Sequence, residues 1–138
     1  MPFMKNRIIT KQLCAILSLS VAFLSTASAA ALSDNDKQFL AAYEKAHAAL
    51  AADDLATAKT AGKDLGPDGA ELTKSDSLAD ARAAFEKLSA HAKHLTMGQP
   101  GYYVVHCPMV KKDWVQTSTK VANPYGGKAM ASCGQIQR

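Results

Sequence analysis

At "GQPG", residues 98–101, the chain changes character, and this break limits its fold more than any other feature. Before it, alanine dominates and apolar residues recur every three or four positions; after it come the aromatic and β-branched runs "YYVVHC" and "WVQTS". A three-to-four spacing keeps side chains on one helix face, whereas β-branched and aromatic runs suit a pleated strand. Residues 33–51 are therefore expected to form an amphipathic helix, with Ser33 and Asp36 as a capping-box-like start and Phe39, Tyr43, Ala46 and Leu50 on one face. A shorter helix carries Leu55, Ala58, Gly62 and Leu65 and stops at "GPDG", which reads as a loop. The clearest helix spans about residues 76–95, with Leu78, Arg82, Phe85, Leu88, Ala92 and Leu95 in register. Two short strands joined by "PMVKKD", a turn at "NPYGG" and one helical turn at "KAMAS" follow. The expected fold is mainly α: an antiparallel helical bundle followed by a small irregular β-hairpin cap at about residues 101–138.

The N-terminal residues stand apart from this pattern. "MPFMKNRIITKQ" is basic, "LCAILSLSVAFL" is apolar, and "STASAAA" offers small residues at signal-peptidase spacing. Residues 1–30 thus read as a secretory signal peptide, too short and wrongly flanked for a stable membrane span. Cys14 leaves with it, and residues 31–138 form a single exported domain. Losing Lys5, Arg7 and Lys11 leaves 13 of the 16 basic residues against 12 acidic ones, a balance of +1. So even a charge gives no grip on phosphates, and nucleic acid is not an expected partner.

The chemistry-bearing residues cluster after residue 105. "HCPM" supplies His106, Cys107 and Met109, and "MASCG" supplies Met130 and Cys133. On a strand, Cys107 and Met109 share a face and His106 takes the other; on one helical turn, Met130 and Cys133 share a side. If the two segments meet, they make a pocket of two thiols and two thioethers. Such soft donors select Cu(I) or a similar soft ion over Mg²⁺, Ca²⁺ or Mn²⁺. His106 is the fifth candidate ligand, and it joins the other four only if the chain bends at Pro108.

A disulfide between Cys107 and Cys133 is the competing reading. It would close a loop of roughly 25 residues and stabilise the fold by on the order of 3–4 kcal/mol. Outside the cytosol oxidation is favoured, so the residues leave both readings open, with a redox-sensing thiol pair as a third. Trp114 reads as a core anchor that could also shield a metal site. His91 and His94, three apart, lack a third ligand at helical spacing, and His47 stands alone. No C-x-x-C, C-x-x-C-H or G-x-S-x-G motif is present, and no phosphate-cradling loop. The chain is not expected to be an enzyme.

Together, "CPM", "WVQ" and "NPYGGKAMASCG" resemble a bacterial family of exported domains of unknown function. The family occurs alone in the periplasm or at the C-terminus of CusB-like membrane-fusion proteins of copper and silver efflux. Its pattern is C-P-M, W-x-Q and N-P-Y-x-G-x-x-M-x-x-C-G. Cys107, Pro108, Met109, Trp114, Gln116, Asn123, Pro124, Tyr125, Gly127, Met130, Cys133 and Gly134 match it. "ARAAFEKLSAHAKHL" is similar to the family's preceding helix, whereas the short "VKKD" link departs from the longer, glycine-containing loops of many members. The resemblance implies a periplasmic domain that handles Cu(I) or Ag(I), partnered by a component of a heavy-metal efflux system. The alternative is a disulfide-stapled, non-metal interaction module of the bacterial envelope.

Overall fold

The computed structural model describes residues 29–137; the leader expected at residues 1–30, with Cys14, lies outside them except for its last two residues. The described chain is mainly α, with four α-helices and a small three-stranded antiparallel sheet. None of these helices is long and apolar enough to cross a membrane.

Helix α1 spans Asp34–Ala51. Its capping box is complete: the Asp36 N–H donates to Ser33 Oγ (3.2 Å), and the Ser33 N–H donates back to the Asp36 carboxylate (3.0 Å). Phe39, Tyr43, Ala46 and Leu50 are all buried, as their spacing predicts. Helix α2 (Leu55–Asp64) is capped by Asp54, whose Oδ1 accepts from the Thr57 N–H at 2.9 Å. Helices α1 and α2 pack against each other, and Ala46 and Ala49 on α1 and Ala58 and Ala61 on α2 are buried. Side chains no larger than a methyl let the backbones approach closely.

"GPDG" is more than a loop. It forms a 3₁₀ turn, Gly66–Gly69, running straight into α3 (Ala70–Lys74). Two glycines permit this: a Cβ on Gly69 would overlap the Gly62 carbonyl, so only bare backbone lets the turn fold back on α2. Leu72, fully buried, then anchors α3. The turn residues masked a one-turn helix, buried only at Leu72 and too short to show a period.

Helix α4 (Leu78–Leu95) starts at Ser77, which caps the Asp80 N–H at 3.1 Å, and buries Ala81, Ala84, Phe85, Leu88, Ser89 and Ala92. Strand β1 (Tyr103–Cys107) follows where its β-branched run places it, whereas β2 (Lys112–Gln116) takes in Lys112 and Asp113 of the expected link and stops before Thr117 and Ser118. They pair antiparallel, Val105 opposite Trp114 and His106 opposite Asp113. A third strand, β3 (Gln135–Ile136), joins the free edge of β1, giving the order β2-β1-β3. Two residues carry no readable alternation, so β3 has no sequence signal.

Cross-strand partners share a face. Val105, Cys107 and Trp114 face one way; Val104, His106, Asp113 and Val115 face the other. The second face meets α4, where Lys93 Nζ reaches Asp113 at 2.5 Å. The first is covered by residues 117–134, and a Cβ on Gly134 would lie 2.7 Å from Val105 and 2.8 Å from Trp114. An aromatic series, Phe39, Tyr43, Phe85, Tyr125 and Trp114, crosses all layers with ring centroids 4.8–6.2 Å apart.

Candidate functional site

Cys107 ends β1 on the face turned toward residues 117–134. Cys133 arrives by a different route. After the 3₁₀ turn Gly127–Met130, the Cys133 N–H donates to Met130 O at 2.9 Å, and its own carbonyl accepts from Asn123 Nδ2 at 2.9 Å. The two cysteines, 26 positions apart, are joined as a disulfide with Cα atoms 5.6 Å apart. Cys107 is fully buried and Cys133 half-buried. The two sulfur segments therefore converge, and in this state their sulfurs are bonded to each other.

The remaining candidate ligands divide. Met130 is half-buried against the core one turn before Cys133, and its Sδ would lie 3.2 Å from a Cβ on Gly126. Met109 lies past the end of β1, in the turn at 108–111, and is 76% exposed. His106 points to the opposite face from Cys107, and its Nδ1 is 2.6 Å from Asp113 Oδ1. Asp113 in turn holds Lys93, whose ammonium, with His106 second, draws its carboxyl below the usual aspartate range against the opposing effect of burial. Thus Cys107, Cys133 and Met130 lie with the covered side of the sheet, His106 lies across it, and Met109 is at its tip. Among the described residues no group of three or more His, Cys, Asp or Glu is arranged to hold a metal ion.

The other motif residues build this layer. Gln116, 1% exposed, uses its whole amide: Oε1 accepts from Trp114 Nε1 (2.9 Å) and the Ala122 N–H (3.3 Å), while Nε2 donates to the carbonyls of Ser118 and Lys120. It thereby supplies the partners that residues 117–122 lack as irregular backbone. Asn123, fully buried, does the same for the next turn, its Oδ1 accepting from the N–H groups of Tyr125 and Gly126 at 2.9 Å. Trp114 is a fully buried core anchor whose N–H is spent on Gln116.

Two further contacts lock residues 117–134 onto the helices. Arg82 of α4 donates to Pro124 O (2.8 Å), Leu50 O (3.2 Å) and Asp53 Oδ1 (2.6 Å). Asp53 also accepts from the Lys128 N–H, and the Arg82 contact holds its carboxyl below the usual range. Tyr125 Oη lies 3.0 Å from Ser89 Oγ, which is 2.9 Å from Tyr43 Oη; burial raises both phenols well above their ordinary value, so the network stays neutral.

His91 is exposed and its ring lies against Phe39 at a tilt of 44°, with centroids 4.4 Å apart; His94 is exposed near the end of α4. A pair that the sequence did not single out is Glu44 with His47: both lie on α1, three apart, with the His47 ring buried. Their i, i+3 spacing was the available signal. Comparison with protein-family models, with curated proteins and with solved structures gives no match.

Proposed function

We propose that this chain is a non-enzymatic domain of the bacterial periplasm that takes Cu(I) or Ag(I) as cargo, in the service of copper or heavy-metal efflux. In this reading its helices form a bundle that presents the sheet and residues 117–134 as a cap. What supports it is the convergence of Cys107 and Cys133 from distant segments, with the Met130 thioether one turn away. The cargo-binding form is the dithiol. An external dithiol reductant gives two electrons and two protons to the disulfide, becoming a disulfide itself; the ion then displaces the protons of Cys107 and Cys133. In this reading Met109, exposed at the tip, takes first contact and passes the ion inward or to an efflux component. His106 would join only by leaving Asp113.

Titration of the reduced protein with Cu(I) against a chelator tests this. One ion should bind, with affinity lowered in Cys133→Ser and Met130→Leu and absent in the oxidised protein. Unchanged affinity in both variants removes the assignment.

The full burial of Cys107 within a formed disulfide favours a second reading, a stapled interaction module of the envelope that binds no metal. Protein isolated from the periplasm two hydrogens lighter than its reduced form, and inert to Cu(I) after reduction, would select it.

A further inference from the structure

We propose that Glu44 and His47 form a second, independent site, for a borderline divalent ion of the Zn²⁺ or Cu²⁺ class. His47 is 3% exposed, and its Nε2 lies 2.7 Å from the Ala122 carbonyl. A carbonyl only accepts, so Nε2 carries a proton, and in the singly protonated tautomer Nδ1 presents a lone pair. Among the described residues Nδ1 is the one buried side-chain nitrogen or oxygen without a hydrogen-bond partner. The charged group facing it is Glu44 Oε1, 3.5 Å away. In that tautomer two acceptors confront each other across 3.5 Å, the gap a cation would fill.

That spacing suits a metal. A nitrogen and an oxygen each about 2.1 Å from a tetrahedral ion stand roughly 3.4 Å apart. The ring's other N–H on a backbone carbonyl is also the usual support of a ligating histidine. Here the carbonyl is itself held, since the Ala122 N–H donates to Gln116 Oε1. Both residues line a cleft of about 430 Å³ between α1 and residues 116–122, with room for waters. Thr117 Oγ1, 3.4 Å from Glu44 Oε1, adds a polar neighbour. Glu44, one-third exposed, is the movable wall through which an ion enters. Lys120, the other charged residue lining the cleft, is exposed and free to turn its ammonium to water. Imidazole and carboxylate with water favour zinc or copper over Mg²⁺ or Ca²⁺.

The experiment uses the oxidised protein, whose disulfide withholds the thiolates, so failure here and failure of the sulfur site are separable. Zn²⁺ and, separately, Cu²⁺ are titrated by calorimetry, and ring nitrogens are followed by NMR during the Zn²⁺ titration. One equivalent should bind and shift the His47 Nδ1 resonance. Affinity should vanish in His47→Gln, which keeps a donor for Ala122 O, fall about tenfold or more in Glu44→Gln, and persist in His94→Gln. If His47→Gln loses its helical circular dichroism, Glu44→Gln decides. Absence of uptake of both ions, uptake unchanged in Glu44→Gln, or a His47 ring doubly protonated at neutral pH against Glu44 would each overturn the proposal.

Discussion

Replacing both cysteines, Cys107→Ala with Cys133→Ala, is expected to cost the domain about 3.5 kcal/mol. The bridge spans 26 positions, and closing a loop of that length removes about 12 cal/mol/K from the unfolded chain, hence about 3.5 kcal/mol at 25 °C. Against the 5–15 kcal/mol typical of whole domains this is a large share. At about 4 °C per kcal/mol it predicts a Tm lower by on the order of 15 °C. Urea unfolding of the oxidised wild type, the reduced wild type and the double variant measures it. The last two should coincide, and their m-values should exceed that of the oxidised protein, because an unstapled chain exposes more surface on unfolding. A difference below about 1 kcal/mol with equal m-values would refute the view that the staple acts by restricting the unfolded chain.

Four further outcomes are expected. Gln116→Leu strips partners from the Trp114 and Ala122 N–H groups and from two carbonyls, and should destabilise the fold by about 3 kcal/mol; thermal unfolding reads it. Gly127→Ala forces a Cβ onto a backbone with φ of 56° and into Asp53 and Arg82, for a loss of about 2 kcal/mol or more. Gly66→Ala, at φ of 60° with nothing nearby, should lose only about 1 kcal/mol in the same assay. Asp113 has its folded pKa depressed, first by Lys93, so its contribution is complete above the unfolded value near 3.8 and fades as pH falls through the lower folded value. In Lys93→Met, carboxyl NMR should show Asp113 titrating closer to 3.8; an unmoved titration would show that the Lys93 contact is not what holds it down.

Helices α1, α2 and α4 were legible in the letters because each is long enough to repeat its period and because Ser33, Asp54 and Ser77 cap their starts locally, and the two hairpin strands were legible from their aromatic and β-branched residues, although β2 begins two residues earlier, at Lys112. The letters also put Cys107 and His106 on opposite strand faces, since alternation is a property of the strand alone. Tertiary structure decided what local pattern cannot encode. α3 depends on Gly62 and Gly69 meeting, and β3 on an edge of β1 left open by the topology. Whether Cys107 finds a metal or Cys133 depends on how residues 117–134 lie over the sheet, set by the amides of Gln116 and Asn123 and by Arg82 from a distant helix. The solitary Nδ1 of His47 is likewise a tertiary fact: its tautomer is dictated by a carbonyl 75 positions away.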